Sequence, residues 1–300
     1  MRRGRFEGWY FKQQCQGHTV AFIPARHRDA AGAEMASLQI LLDENTWHIQ
    51  LPAAEFSVKE NPFTVRAGKC VFGLDGCQID CDAQGASFHG ALQYSQVVKP
   101  AGDIMGPFRF VPAMQCRHSL VSLSHRVDGT LRLNGTELAF PGGLGYIEGD
   151  RGRSFPRRYV WTQCGWEQGC VMLSVADIPL CGGGYTGCIA SVYVGGTEYR
   201  LATYLGARPE RVSAREVCLR QGPYRLCATL EEGSPLLLRA PRRGGMERRV
   251  RESLVCRVRY LLEKDGRVLL CRTDDRASFE AEWPQAGDGP EDGKPETARE

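Results

Sequence analysis

Hydrophobic and polar residues alternate with a period of two along most of this chain, in short runs punctuated by turn signals. Ser191-Val192-Tyr193-Val194 and Thr197-Glu198-Tyr199-Arg200-Leu201, joined by Gly195-Gly196, read as one hairpin. Val255 to Leu262 and Arg267 to Cys271, on either side of Asp265-Gly266, read as another. Asp75-Gly76, Asp128-Gly129 and Asn134-Gly135 mark further turns. Roughly twenty short strands can be counted at spacings of about 8–12 residues, with no long amphipathic helix. The expected fold is all-β.

That many antiparallel strands exceed one small barrel, so two barrels or strongly curved sheets are expected. The 300-residue length agrees with two domains of about 100–150 residues each. Phe140-Pro141-Gly142-Gly143 offers the boundary, dividing 1–140 from 141–284. The Gly/Pro/acid-rich stretch 285–300 has no large apolar residue and is expected to be disordered.

Two aromatic-rich runs stand out. Phe6-Glu7-Gly8-Trp9-Tyr10-Phe11-Lys12-Gln13 opens the chain. Gly145-Tyr146-Ile147-Glu148-Gly149-Asp150-Arg151-Gly152-Arg153-Ser154-Phe155-Pro156 lies near its middle, followed by Tyr159-Val160-Trp161-Thr162-Gln163. In strands, alternate side chains share a face. Glu7, Trp9, Phe11 and Gln13 are then in phase, as are Tyr146, Glu148 and Asp150, and again Tyr159, Trp161 and Gln163. A barrel lumen lined by Glu7, Trp9, Glu148, Asp150, Tyr159 and Trp161 would be an apolar pocket with a few placed acids. Such a site suits protonation of a greasy substrate. The same acids could instead pair with Arg151, Arg153, Arg157 or Arg158 and fix a loop, and the tryptophans could be packing.

Composition narrows the function classes. Hydrophobic residues make up 42% and charged residues 24%, an ordinary globular balance. The net charge of +3 and the absence of a dense basic stripe argue against nucleic acid. Met1-Arg2-Arg3-Gly4-Arg5 runs into Phe6 without an apolar segment, so no signal peptide is expected. No apolar stretch is long enough to span a bilayer. The thirteen cysteines form no zinc framework and are expected to be reduced, mostly buried thiols of a cytoplasmic protein. His118 and His125 fall on opposite faces of a strand and with Cys116 make a poor metal set. Either could shuttle a proton. No metal and no cofactor are expected. Ser154 lacks a nucleophile elbow, so a hydrolase triad is not expected.

The two aromatic runs together resemble the tocopherol cyclase-like family. The resemblance extends through Met105-Gly106-Pro107-Phe108-Arg109-Phe110-Val111-Pro112-Ala113-Met114, Ala202-Thr203-Tyr204 and Met246-Glu247-Arg248-Arg249-Val250-Arg251-Glu252-Ser253-Leu254, covering about residues 5 to 272. It implies tandem lipocalin-like barrels and closure of a chromanol ring on a prenylated quinol. A proton adds to an alkene, and the neighbouring phenol oxygen captures the tertiary cation. The catalytic acids implied are Asp150 and Glu148, with Glu7 third. Trp9, Phe11, Tyr146, Tyr159, Trp161 and Gln163 would bind the substrate, a hydrophobic isoprenoid-type small molecule, and peripheral membrane contact would give access to it. This chain departs from the family at Arg151, where Trp is common, at Gly149, where Lys or Asn is common, and at Cys164-Gly165-Trp166 in place of an Asn-rich turn. The competing expectations are an isoprenoid double-bond hydratase, a non-catalytic lipocalin-like carrier, and a scaffold. Acids facing a closed apolar cavity would favour an enzyme; acids paired to arginines on a rim would not.

Overall fold

The protein is described by a computed structural model covering residues 4–284 apart from 16, 113, 181–182 and 243–244. The 285–300 stretch lies outside the described residues. The expected all-β class is observed: the described residues form 22 strands and three short 3₁₀ turns. The first sheet takes β1 (Arg5–Gln14), β2 (Thr19–Arg28), β3 (Glu34–Leu42), β4 (Asn45–Pro52), β5 (Phe56–Glu60), β6 (Phe63–Ala67), β7 (Cys70–Gly73), β8 (Gly76–Ala83), β9 (Ala86–Val98), β10 (Cys116–Leu133), β11 (Thr136–Ala139) and β12 (Gly143–Gly152). The second takes β13 (Tyr159–Trp166), β14 (Gly169–Leu180), β15 (Gly183–Val194), β16 (Thr197–Ala202), β17 (Arg208–Val212), β18 (Glu216–Gln221), β19 (Tyr224–Gly233), β20 (Leu236–Arg242), β21 (Gly245–Lys264) and β22 (Arg267–Glu282).

All pairings are antiparallel. The first sheet runs β4-β3-β2-β1-β12-β10-β9-β8-β7-β6-β5 and the second β16-β15-β14-β13-β22-β21-β19-β18-β17. β11 and β20 are added on β10 and β21. The chain changes sheet in 153–158, between β12 and β13, while Pro141 and Gly142 form the β11–β12 turn. Each sheet curls around its own core. In the first, Phe22 of β2 meets Phe72 of β7 with ring centroids 5.7 Å apart, and Trp47 of β4 meets Phe88 of β9 at 5.0 Å. In the second, Tyr199 of β16 and Tyr224 of β19 lie 6.0 Å apart. Strands distant in sheet order thus share one interior.

A third apolar cluster lies between the sheets, joining Tyr10, Leu120 and Tyr146 of the first to Trp161, Met172, Leu238 and Val250 of the second. β13 and the second half of β1 are buried on both faces. In β13, Val160 and Cys164 point into the second core while Tyr159 and Trp161 point at the first sheet. In β1, Phe11 enters the first core and Tyr10 the inter-sheet cluster. Among the described residues no helix is long and apolar enough to cross a membrane.

One cysteine pair departs from the expected reduced state. Cys218 and Cys227 face each other across the β18–β19 hairpin with Cα atoms 4.1 Å apart and form a disulfide. Cross-strand pairing brings them within bonding reach without any help from the rest of the fold.

Phe72 is fully buried against Phe11 and Phe22 and ties β7 to β1 and β2. Phe72→Ala is expected to destabilise the protein by about 3–5 kcal/mol in denaturant unfolding. A loss below about 1 kcal/mol would mean that the sheet does not close around this ring.

Candidate active site

The central run folds as it does because its glycines carry bulky neighbours. Along β12, Gly145, Ile147 and Gly149 face the first core. A β-carbon on Gly145 would sit 2.0 Å from His125 Nε2, and one on Gly149 would sit 2.3 Å from the Trp9 ring. The rings of His125 and Trp9 therefore lie over the glycines. The alternate positions Tyr146, Glu148 and Asp150 are turned the other way, toward the second sheet.

Register then builds two facing walls, since residues paired across antiparallel strands share a face. On the first sheet His118, Asp150, Gly8 and Ala25 are successive partners across β10, β12, β1 and β2. The adjacent row is Leu120, Glu148 and Tyr10. On the second sheet Glu252, Glu280, Trp161 and Ser174 are successive partners across β21, β22, β13 and β14. Between the walls lies a partly open cavity of ≈ 200 Å³. Met105, Phe108, Phe155, Ile178 and Leu238 supply much of its apolar lining. The site lies between the sheets and not in the lumen of either.

The polar groups converge in two clusters. His118 Nδ1 bonds Asp150 Oδ1 at 3.1 Å, and its Nε2 lies 3.2 Å from Glu148 Oε2 without the alignment of a hydrogen bond. Glu148 Oε2 also accepts the Tyr146 hydroxyl and, at 3.2 Å, the Trp161 indole N–H. Asp150 Oδ1 accepts the Cys116 thiol at 3.3 Å. Burial alone would push His118 down, but the carboxylates of Glu148 and Asp150 outweigh it and hold the imidazole well above its ordinary value. On the facing wall, Tyr10 donates to Glu252 Oε1 at 2.7 Å and Tyr159 donates to Glu280. Burial pushes Glu252 up to about 7, and burial together with the nearby Glu252 pushes Glu280 well up. Two carboxyl groups side by side in an apolar wall cannot both ionise cheaply. One wall thus sets an imidazole of raised proton affinity between two acids, and the other holds two carboxyl groups whose proton affinity is also raised.

Of the residues singled out from sequence, Glu148, Asp150, Tyr159 and Trp161 meet at this cavity. Neither Glu148 nor Asp150 is ion-paired to an arginine among the described residues. Tyr146 stands behind Glu148 in the inter-sheet cluster. Trp9 borders the cavity, but its ring packs on Phe63 at 4.8 Å within the first core. Phe11 is wholly inside that core. Gln163 is buried and accepts a bond from Lys12 at 3.1 Å. Glu7 lies outside the cavity, 3.4 Å from Arg26. Residues not singled out are Tyr10, Glu252 and Glu280; Cys116 was weighed only as a metal ligand, and His118 had only a general proton-transfer role. Glu252 lies within a quoted run, but its pairing with Glu280, 28 positions on, has no local signal.

His118, Glu148 and Asp150 offer ligand atoms within 4.8 Å of one another and could hold a divalent cation. The oxygens facing His118 already accept hydroxyl, indole and thiol protons, so the cluster fits a proton better than an ion.

Comparison with known protein families and with curated protein sequences finds no match, for the tocopherol cyclase-like family or any other. Solved structures do resemble this chain. CghA, solved with Sch210972, is similar with a TM-score of 0.59 and 14% identity over 93% of this chain and 88% of that one. A putative AttH from Nitrosomonas europaea gives 0.53 and 10% over 94% and 93%. Kievitone hydratase from Nectria haematococca gives 0.51 and 12% over 94% and 89%. The chain therefore shares the lipocalin-like fold of these structures, with both sheets included in the match.

Because Glu252 and Glu280 bind protons more tightly folded than unfolded, folding stability should fall as pH rises from about 4.5 through about 7. Glu252→Gln, measured by urea unfolding across that range, should reduce the slope. An unchanged slope would mean that Glu252 titrates normally.

Proposed function

We propose that this protein is an enzyme that transfers a proton to a hydrophobic, alkene-bearing small molecule held between its two sheets. The reaction that best suits the site is closure of an oxygen ring on a prenylated quinol or a related isoprenoid lipid. The observation that carries this reading is the pair of buried carboxyls, each bonded to a tyrosine hydroxyl, facing an acid-flanked imidazole across an otherwise apolar cavity.

The chemistry follows from that arrangement. Glu252, its Oε1 occupied by the Tyr10 hydroxyl, donates its carboxyl proton to the alkene and leaves a tertiary carbocation. The rings of Tyr10, Tyr159 and Trp161 border the cavity and stabilise a desolvated cation by about 2 kcal/mol or more when a face is presented. His118 Nε2, which makes no aligned bond, donates to the substrate's phenol oxygen and orients it. That oxygen forms the new C–O bond as its proton passes to Glu148 or Asp150. One proton leaves Glu252 and one arrives at the opposite wall, so product and substrate are isomers. Exchange with solvent at the open side resets both walls. Holding oxygen beside carbon can contribute up to about 7–11 kcal/mol of the barrier reduction.

The neighbours add support at the level of fold. One was solved with a small molecule and another is named a hydratase. Water in place of the phenol would give hydration of the same cation.

The test is incubation with a set of prenylated quinols, with products resolved by mass. A product of unchanged mass identifies cyclisation, and one heavier by a water molecule identifies hydration. Saturable binding without any product identifies a carrier and sinks the catalytic reading. Glu252→Gln, His118→Gln and Asp150→Asn are each expected to lower turnover by about 10²–10⁴-fold. Ligand affinity should stay within about threefold, well under the tenfold that 1.4 kcal/mol represents. A variant with full turnover would remove that residue from the mechanism.

A further inference from the structure

One end of the first sheet carries charge that the cavity does not use. The starts of β1, β3 and β10 and the ends of β2 and β12 meet there. Arg117, Arg151, Glu7 and Arg26 are successive partners across β10, β12, β1 and β2. One step outward, Arg5, Arg28 and Glu34 are successive partners across β1, β2 and β3. With Arg153 and His27 they line an open groove of ≈ 700 Å³, six arginines against two glutamates.

Internal pairing leaves much of this charge uncompensated. Glu7 lies 3.4 Å from Arg26, and Glu34 lies 3.7 Å from Arg28. Among the described residues no carboxylate comes within ion-pairing distance of Arg5, Arg117 or Arg151. Arg117 gives one N–H to the Val111 carbonyl at 2.8 Å, leaving the rest of its fork. Arg28 Nε and His27 Nδ1 are buried without a hydrogen-bond partner. Like charges set side by side repel unless a counter-charge joins them, and buried unpaired donors carry a desolvation cost. An oxyanion entering the groove supplies the missing counter-charge. The lining contains no lysine, and the planar guanidinium fork matches two phosphate oxygens at once.

We propose that this groove binds a phosphate-bearing ligand, its phosphoryl or diphosphoryl oxygens held by Arg151, Arg117 and Arg5. Glu7, in the middle of the first row, is the internal counter-ion that the ligand must outcompete. Phe6 and Met114 line both the groove and the apolar cavity, so a ligand anchored here can lay an apolar body along that shared edge. The site stands independently of the chemistry proposed for the cavity.

The experiment is calorimetric titration of the full chain with inorganic pyrophosphate at low ionic strength. The Arg117→Gln/Arg151→Gln double variant and Glu7→Gln are titrated alongside, each checked for folding by circular dichroism. Saturable one-to-one binding is expected. The double variant should weaken it roughly tenfold or more, Glu7→Gln should tighten it, and added salt should weaken it. The opposite signs separate a built site from a solvated charged face, and Glu7→Gln alone gives a readout should the double variant not fold. Phosphatidylcholine vesicles containing phosphatidylglycerol are then added. Displacement of pyrophosphate assigns the phosphate to a lipid headgroup, and no displacement assigns it to a soluble phosphate ester. Absence of saturable binding, or equal affinity in wild type and variants, overturns the proposal.

Discussion

The constraint on which the molecule depends is that β1 must be buried on both faces. One face completes the first core through Phe11, and the other is sewn to the second sheet. Polar groups there must find partners across the junction, because an unpaired buried donor costs about 1–3 kcal/mol. Lys12 reaches Gln163 and the Arg276 carbonyl, each at 3.1 Å, and Gln14 reaches the Gly165 carbonyl at 2.9 Å. Gln39 exchanges two hydrogen bonds with the backbone of Arg239. The junction is closed at the Lys12 end and opens where side chains shrink. Gly8 sits opposite Ala25, and Ala176, Gly187 and Ala240 complete the clearance. The cavity is the unfilled continuation of the junction.

That origin accounts for the electrostatics of the site. Carboxyl groups projecting from two sheets into a shared apolar gap must either find a cation or keep a proton. Glu148 and Asp150 have His118 beside them. Glu252 and Glu280 have only tyrosine hydroxyls and each other, apart from more distant cations. The two walls answer the same desolvation problem in opposite ways.

Much of this was legible in the sequence. The hairpins at Asn134-Gly135 and Asp265-Gly266 are read correctly, and all four residues have positive φ, as such turns demand. The phase of Tyr146, Glu148 and Asp150 is also read correctly, because alternation is a local property. Which face of β1 turns to the cavity is not local: Trp9 and Tyr10 are both aromatic, and both sides of the strand are buried. His118 and Glu280 acquire meaning only through partners in other strands, which no period reveals. The Cys218–Cys227 disulfide was within reach of the sequence. The two cysteines are equidistant from Gly222-Pro223, and the register of that hairpin places them opposite each other.

The strand order also bears on how the chain assembles during synthesis. In each sheet the first strand made sits beside the last one made, β1 against β12 and β13 against β22. At translation rates of roughly 5–20 residues per second, β1 waits on the order of ten seconds or more for its neighbour. Its outward face then stays bare until β13 and the rest of the second sheet follow. A nascent strand rich in aromatic rings, exposed for so long, is one that a holding chaperone would recognise.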